Sequence, residues 1–335
     1  MEQVLLDHGS GGKLARELIE SLFLSAFGEE ALQLERDAAL LPALNGRPVF
    51  TTDSHVVKPL FFAGGDIGTL AVSGTVNDLV VGGARALYLS AGFVIEEGFP
   101  IAELQTIAES MARAAREAGV RIVCGDTKVV ARGECDGVFI TTAGLGELPD
   151  EFQDLGDGAA PAPGDRLIVS GHIADHGVAI LAARNGLETD PPIASDCAPL
   201  GGLVEAMRAA GQVRFMRDPT RGGVATVLCE LSELAGARLR VHEEALPLRD
   251  TVRGLCEMFG FDPLYLANEG KLVAAVAPQD TEAVLAAMRR HELGRDAAVI
   301  GEVEEAGRAQ VVLETAVGGR RVLQMHTGAQ LPRIC

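Results

Sequence analysis

Apolar positions along this chain switch repeatedly between a period near 3.6 and a period of two, and the switches mark out its elements. Leu14, Leu18, Ile19, Leu22, Phe23 and Phe27 keep helical spacing, and Gly28 is a natural stop after them. Two short apolar runs follow within 34–57, the second being Val49-Phe50-Thr51-Thr52, a strand that ends on Asp53. Asp66 is placed to cap a helix from Ile67 to about Val81, closed by Gly82-Gly83. A strand over Tyr88–Glu96 leads to a helix that Pro100 opens, Ile101, Leu104, Ile107 and Met111 carry, and Gly119 closes. Val120–Cys124 reads as a buried strand emptying into a turn at Gly125-Asp126-Thr127-Lys128, and 137–145 supplies one more strand.

Residues 147–165 break the rhythm: acidic, small, proline-bearing and without periodicity, they read as a domain boundary. Beyond it the pattern predicts strands at 166–170, 213–217, 271–277, 297–303, 310–314 and 320–325. Helices are predicted at 173–184, 200–210, 223–235, 249–259 and 280–291. Half-apolar strands with glycines at element ends favour two α+β domains with antiparallel sheets over one doubly wound parallel sheet. The expected division is a domain over 1–150, a second over 160–325, and a mobile tail over 326–335.

Composition narrows the function. An apolar share of 47% with 23% charged residues describes an ordered protein, and 335 residues suffice for two cores. A net charge of −18 leaves no basic stripe for nucleic acid, yet carboxylates can hold Mg²⁺ against a nucleotide triphosphate. No uncharged run is long enough for a membrane helix, and Met1-Glu2-Gln3 lacks the basic start of a signal peptide. Cys124, Cys135, Cys197, Cys229, Cys256 and Cys335 form no CxxC pair, which suits a reduced, cytoplasmic protein.

The last of these cysteines stands out. Cys335 closes a stretch, His326–Cys335, with no helix or strand pattern. Fully extended, such a stretch spans roughly 33 Å, enough to carry the thiol into a cleft or onto a partner. Pro332 stiffens its approach, and Leu331 and Ile334 offer apolar grips; the plainer reading is a frayed end. Asp37, Asp53, Asp78 and Asp126 lie at or within apolar elements. Singly each suits a cap or turn; jointly they suit a hard cation on a polyphosphate. Gly9, Ser10, Gly11, Gly12 and Lys13 are not a P-loop, but such a segment can wrap phosphates through backbone N–H groups. His172 and His176 lack the glutamate of a zinc protease motif and read as structural. Arg217-Asp218-Pro219-Thr220-Arg221-Gly222-Gly223 is either an anion site or an ordinary helix start. Glu269 and Lys271 sit on a turn before a buried strand.

Taken together, GTVNDLVVGGA at 74–84, GDT at 125–127, HGSGGK at 8–13, RDPTRGG at 217–223, ANEGK at 267–271 and PRIC at 332–335 resemble the HypE family of hydrogenase maturation proteins. That family is similar to aminoimidazole ribonucleotide (AIR) synthetase, selenophosphate synthetase and thiamine-monophosphate kinase, which share the NDL and GDT pieces; PRIC is particular to HypE proteins. The resemblance runs from about His8 to Cys335. It implies an AIR-synthase-like fold in which the N-terminal domains of a homodimer pair into a shared β-barrel with ATP at the interface, beside a C-terminal α/β sandwich. It implies ATP-dependent dehydration of an S-carboxamide on Cys335 to a thiocyanate. A partner carbamoyltransferase would load the thiol, and an iron-binding scaffold complex would accept the cyanide for the NiFe hydrogenase centre. Carried over residue by residue, Glu269 is the base and Lys128 stabilises charge beside the thiol. Mg²⁺ falls to Asp37, Asp53, Asp78 and Asp126, and ATP to Gly9–Lys13, Asn77 and Thr127. The rivals are a small-molecule kinase of the same superfamily, for which a thiol at Cys335 has no use, and a non-catalytic scaffold presenting a thiol, which needs neither the acidic set nor Lys128 and Glu269.

Overall fold

The computed structural model describes residues 2–28, 37–149, 155, 161–325, 328 and 331–335. Its first half begins with α1 (Lys13–Leu18), which continues through a π-helical stretch (Ile19–Leu24) into α2 (Ser25–Phe27). Then come β1 (Arg47–His55), a small hairpin of β2 (Phe61–Phe62) and β3 (Gly65–Asp66), α3 (Ile67–Val81), β4 (Arg85–Glu96), α4 (Ile101–Glu117), β5 (Arg121–Val130) and β6 (Val138–Leu148). The sheet runs β1-β6-β4-β5, antiparallel except for the β4–β5 pair, whose crossover is α4.

Helix α3 starts where the sequence placed it, because Oδ1 of Asp66 accepts the Thr69 N–H at 2.8 Å. It is buried on nearly every face, which explains why its sequence shows no amphipathic stripe. The sheet and α4 cover it on one side, and the second half of the chain covers it on the other. One segment departs from the prediction: Gly125-Asp126-Thr127-Lys128 is not a turn but the middle of β5. A Cβ at Gly125 would lie 2.4 Å from the Ala91 carbonyl oxygen, so the glycine permits close strand approach rather than a reversal.

The second half holds β7 (Arg166–Val169), α5 (Asp175–Asn185), α6 (Gly201–Ala210), β8 (Val213–Arg217), α7 (Gly223–Ala235), β9 (Ala237–His242), α8 (Asp250–Phe259), β10 (Val273–Val276), α9 (Thr281–Arg290), β11 (Ala298–Ala306), β12 (Gln310–Glu314) and β13 (Arg320–Leu323). Its sheet order is β13-β12-β9-β11-β7-β10-β8, with β12–β9 the parallel pair. Strand β9 carries arginines at alternate positions and was not expected. Part of the anticipated boundary, 150–154 and 156–160, lies outside the described residues, as do 326, 327, 329 and 330 of the expected tail. The two halves share a hydrophobic cluster in which Val76 and Val80 of α3 join Leu200, Leu203 and Met207. No described helix is long and apolar enough to cross a membrane.

Candidate active site

A cleft opens between the halves, where β1 and α3 face the segments before α7 and β10. Thr51, Asp78, Arg217, Asp218 and Arg221 line a space of about 450 Å³. The Thr51 hydroxyl donates to Oδ2 of Asp78 at 3.0 Å, and Asp53 stands 3.8 Å from the buried His55 ring. Burial pushes the Asp78 carboxyl up and Asp53 adds to this, against the Thr51 hydrogen bond. Burial and then Asp78 push Asp218 to about 7. Glu269 is 3% exposed and is held well above the usual carboxylate range by burial, then by Asp218, Asp196, Asp53 and Asp78. Its surroundings thus favour the neutral carboxyl over the charged one.

The loop bearing Glu269 is rigid for local reasons. Oδ1 of Asn268 accepts the Ala174 N–H at 2.7 Å, and its amide donates to the Pro219 carbonyl at 3.0 Å. The Glu269 N–H reaches Oδ1 of Asp196 at 3.1 Å, and Lys271 meets that buried carboxylate at 3.2 Å. Burial opposes ionisation of Asp196, but the Lys271 ammonium, helped by the hydrogen bond from the Glu269 N–H, holds the carboxyl low.

Residues 331–335 are docked here. The Val56 N–H donates to the Cys335 carbonyl at 3.1 Å and the Lys58 N–H to the Arg333 carbonyl at 3.3 Å, an antiparallel pairing just past the end of β1. Arg333 ties to Asp136 at 2.7 Å, the carboxylate that also holds Lys58 at 2.8 Å. Ile334 is buried. The Cys335 thiol is pushed up to about 12 by burial and then by Glu269, so it is protonated and unreactive where it lies.

A second group sits at the far edge of the first sheet. His8, Gly9, Gly11, Phe93, Thr127 and Lys128 line a cavity of about 210 Å³ between the N-terminal segment and β5. Gly9 is obligatory there, since a Cβ would come within 2.5 Å of the Val129 nitrogen. Lys13 is exposed and pairs with Glu17 at 3.5 Å, and the Ser10 hydroxyl donates to the Asp7 carbonyl at 2.8 Å. Lys128 donates to Asp126 at 2.8 Å, and that bond holds the Asp126 carboxyl low.

The anticipated site is thus split within one chain. Asp53, Asp78, Glu269 and Cys335 gather in the cleft; Asp126, Thr127, Lys128 and the Gly9–Lys13 segment gather at β5. Register explains the separation. Asp53 pairs with Thr142, which turns to the face that α3 covers, whereas Asp126 shares a row with Gly92, Thr141 and Ser54 on the opposite face. Strands alternate sides at every residue, and β1 and β5 are three strand spacings apart, roughly 14 Å along the sheet. The expectation that Lys128 lies beside the thiol is therefore not met inside a single chain. Asp37 is exposed ahead of β1. Asn77, expected at the nucleotide, is committed elsewhere: its amide donates to the Ala198 and Glu269 carbonyls at 3.1 Å, and its oxygen accepts the Leu200 N–H at 2.8 Å. It clamps α3 to the second half. The two histidines serve different partners, His172 meeting Asp296 at 3.2 Å and His176 meeting the docked segment, so neither shares a metal with the other. Asp218 was missed; its only signal was a carboxylate between two arginines in RDPTRGG.

The family model described as AIR synthase related protein, N-terminal domain, matches residues 35–148, and that of the C-terminal domain matches 162–314. "Carbamoyl dehydratase HypE" of Cupriavidus necator is 54% identical over 332 residues, covering 98% of this chain and 94% of the relative. The crystal structure of the hydrogenase maturation protein HypE in complex with ATP superposes with a TM-score of 0.93 at 49% identity, over 99% of both chains. A HypE–HypF complex gives 0.79 at 47% identity, covering 94% of this chain and 100% of that one.

Proposed function

The chain belongs to the HypE family of AIR synthase-related proteins, and from that membership we propose how its own residues carry out carbamoyl dehydration in NiFe hydrogenase maturation. The observation that carries the reading is the docking of Cys335 beside the cleft, close enough to Glu269 for that carboxylate to help push its thiol up. A carbamoyltransferase partner loads the thiol, dehydration converts –S–C(=O)NH₂ to –S–C≡N, and the cyanide leaves for iron on a scaffold complex.

The cleft suits a hard cation. Asp53 adds to the cost of ionising Asp78, both add to that of Asp218, and Oε1 of the buried Glu269 has no hydrogen-bond partner among the described residues. Those residues include no ready cage of three His, Cys, Asp or Glu side chains. Mg²⁺ is commonly held by one or two carboxylates together with phosphate oxygens. Asp53 and Asp78 would hold it, with Asp37 as a further acidic residue. Mg·ATP supplies the phosphoryl group that turns the amide oxygen, a poor leaving group, into phosphate. Glu269 handles the nitrogen proton. Once the carboxylates around it are neutralised it ionises, and Oε1 becomes the base. The docked segment, with Ile334 buried, keeps water from the activated amide.

The edge group joins through a second copy. The sheet face opposite α3 is open, and Phe50 on it is 69% exposed. Pairing of two such faces into a barrel brings Asp126, Thr127, Lys128 and Gly9–Lys13 of one chain toward the cleft of the other, with ATP between them.

Peptide mass spectrometry after incubation with ATP, carbamoyl phosphate and the transferase tests the chemistry. The Cys335 peptide gains a carbamoyl group and then loses one water. Cys335→Ala abolishes both changes and keeps ATP binding. An adduct on Cys124 with Cys335 unmodified overturns the reading.

A further inference from the structure

The strongest feature that the reaction scheme leaves unused is His176 on α5. Its ring is fully buried, yet each nitrogen has a partner. Nε2 lies 2.8 Å from the Ile334 carbonyl oxygen and Nδ1 lies 2.8 Å from Oγ of Ser195. A carbonyl can only accept, so Nε2 bears the hydrogen. Nδ1 in the neutral ring then accepts from the Ser195 hydroxyl. That hydroxyl is itself oriented, because its oxygen accepts the Cys197 N–H at 3.1 Å. Burial disfavours the charged ring, which keeps this tautomer in place. The edge of Phe62 meets the ring at 5.6 Å between centroids and 88°, blocking rotation.

The carbonyl that His176 holds belongs to the peptide plane preceding Cys335. The Cys335 carbonyl, on the other side of its Cα, is held by the Val56 N–H. With the preceding peptide group and the main-chain oxygen of Cys335 both held, the thiol retains one free torsion, about Cα–Cβ. We propose that His176 is a positioning residue: acting through the Ile334 carbonyl, it sets where the sulfur of Cys335 sits relative to Glu269. The proposal rests on the reading of Cys335 as the modified thiol, but its first consequence does not need that chemistry. His176 has no solvent contact, so its Nε2–H loses its partner whenever the segment leaves. Docking is therefore tied to this hydrogen bond, while Arg184, which donates to the Lys58 and Arg333 carbonyls, secures the segment further back.

Peptide-resolved alkylation by iodoacetamide reads docking directly, with exposed Cys124 and buried Cys256 as internal references. In His176→Phe, which keeps an aromatic ring but no donor, Cys335 reacts at least ten times faster, by rough expectation for losing a buried hydrogen bond. His176→Gln, whose amide places a donor near the Nε2 position, restores most of the protection. Unchanged Cys335 alkylation in His176→Phe overturns the proposal, as does failure of Gln to protect while Cys256 stays silent. Should Cys256 also react in His176→Phe, Ser195→Ala decides: it removes the hydroxyl that steadies the ring through Nδ1 and so loosens its hold on the Ile334 carbonyl. Faster alkylation of Cys335 alone then supports the proposal, and no change refutes it. A carbamoylated wild-type protein that never loses water while Cys335 remains His176-protected would sink the dehydratase scheme and leave the positioning role standing.

Discussion

Asp78 and Asp126 belong to one acidic set in the sequence, and the fold treats them in opposite ways. In the cleft, burial and then the Asp53 carboxylate push the Asp78 carboxyl up, against Thr51, Arg221 and Arg217. On the open sheet face, Asp126 has its own ammonium at 2.8 Å and its carboxyl is pulled down. The cleft holds carboxylates that stay costly to ionise even beside Arg217 and Arg221, so a further cation arriving there lowers its energy. The edge is already balanced and gives up little when left alone. A set of like residues in a sequence thus says what chemistry is present, while the counter-charges decide where it waits for a ligand.

The sharpest way to break this comparison is to ask whether the two groups act across chains. Asp78→Asn and Asp126→Asn should each lose roughly 100-fold or more in dehydration. Co-expressed, they form mixed dimers in which one of two sites is intact, so activity should return to roughly a quarter of wild type. No recovery, with dimers present by native mass spectrometry, would mean that each chain builds its site alone.

A smaller effect is expected from pH. Asp218 is raised from 3.8 to about 7, so the folded protein binds its proton more tightly than the unfolded chain does. Stability should be greatest near pH 4 in this respect and fall as pH rises toward about 7. Asp218→Asn should flatten that fall in thermal melts, and Mg²⁺ should stabilise wild type more at pH 8 than at pH 5. An identical pH slope in the variant would remove Asp218 from the crowded set. The smallest effect belongs to the edge. Asp126 and Lys128 are 69% and 61% exposed, so losing their pair in Asp126→Asn should cost less than about 1 kcal/mol in urea unfolding. A larger loss would show that the edge is not self-contained.

Elements with local signals were legible from the sequence. Asp66 marks the start of α3 because its side chain caps the next turn, and β8 and α7 fall on the expected residues. The PRIC cysteine and ANEGK were legible as candidates, since a thiol on a long unpatterned stretch and a carboxylate before a buried strand are unusual. What failed depends on distant neighbours. Gly125 looks like a turn residue until Ala91 of the adjacent strand is known. Asp53 and Asp126 point to opposite faces, which follows from a four-strand register that no single segment encodes. Asn77 resembles a ligand in NDL, yet its partners lie at 198, 200 and 269.

The apolar surface of α3 also fixes an order of events during synthesis. Residues 67–81 leave the ribosome well before α6 and the 198–200 segment that cover Val76, Val80 and Asn77. Until those arrive, the helix has a hydrophobic face and an amide with nothing to meet, so the first half cannot reach its final state alone. Its closure waits on contacts more than a hundred residues away, a non-local pairing that slows folding. The same helix that carries Asp78 into the cleft therefore couples the closing of the first half to the arrival of the second.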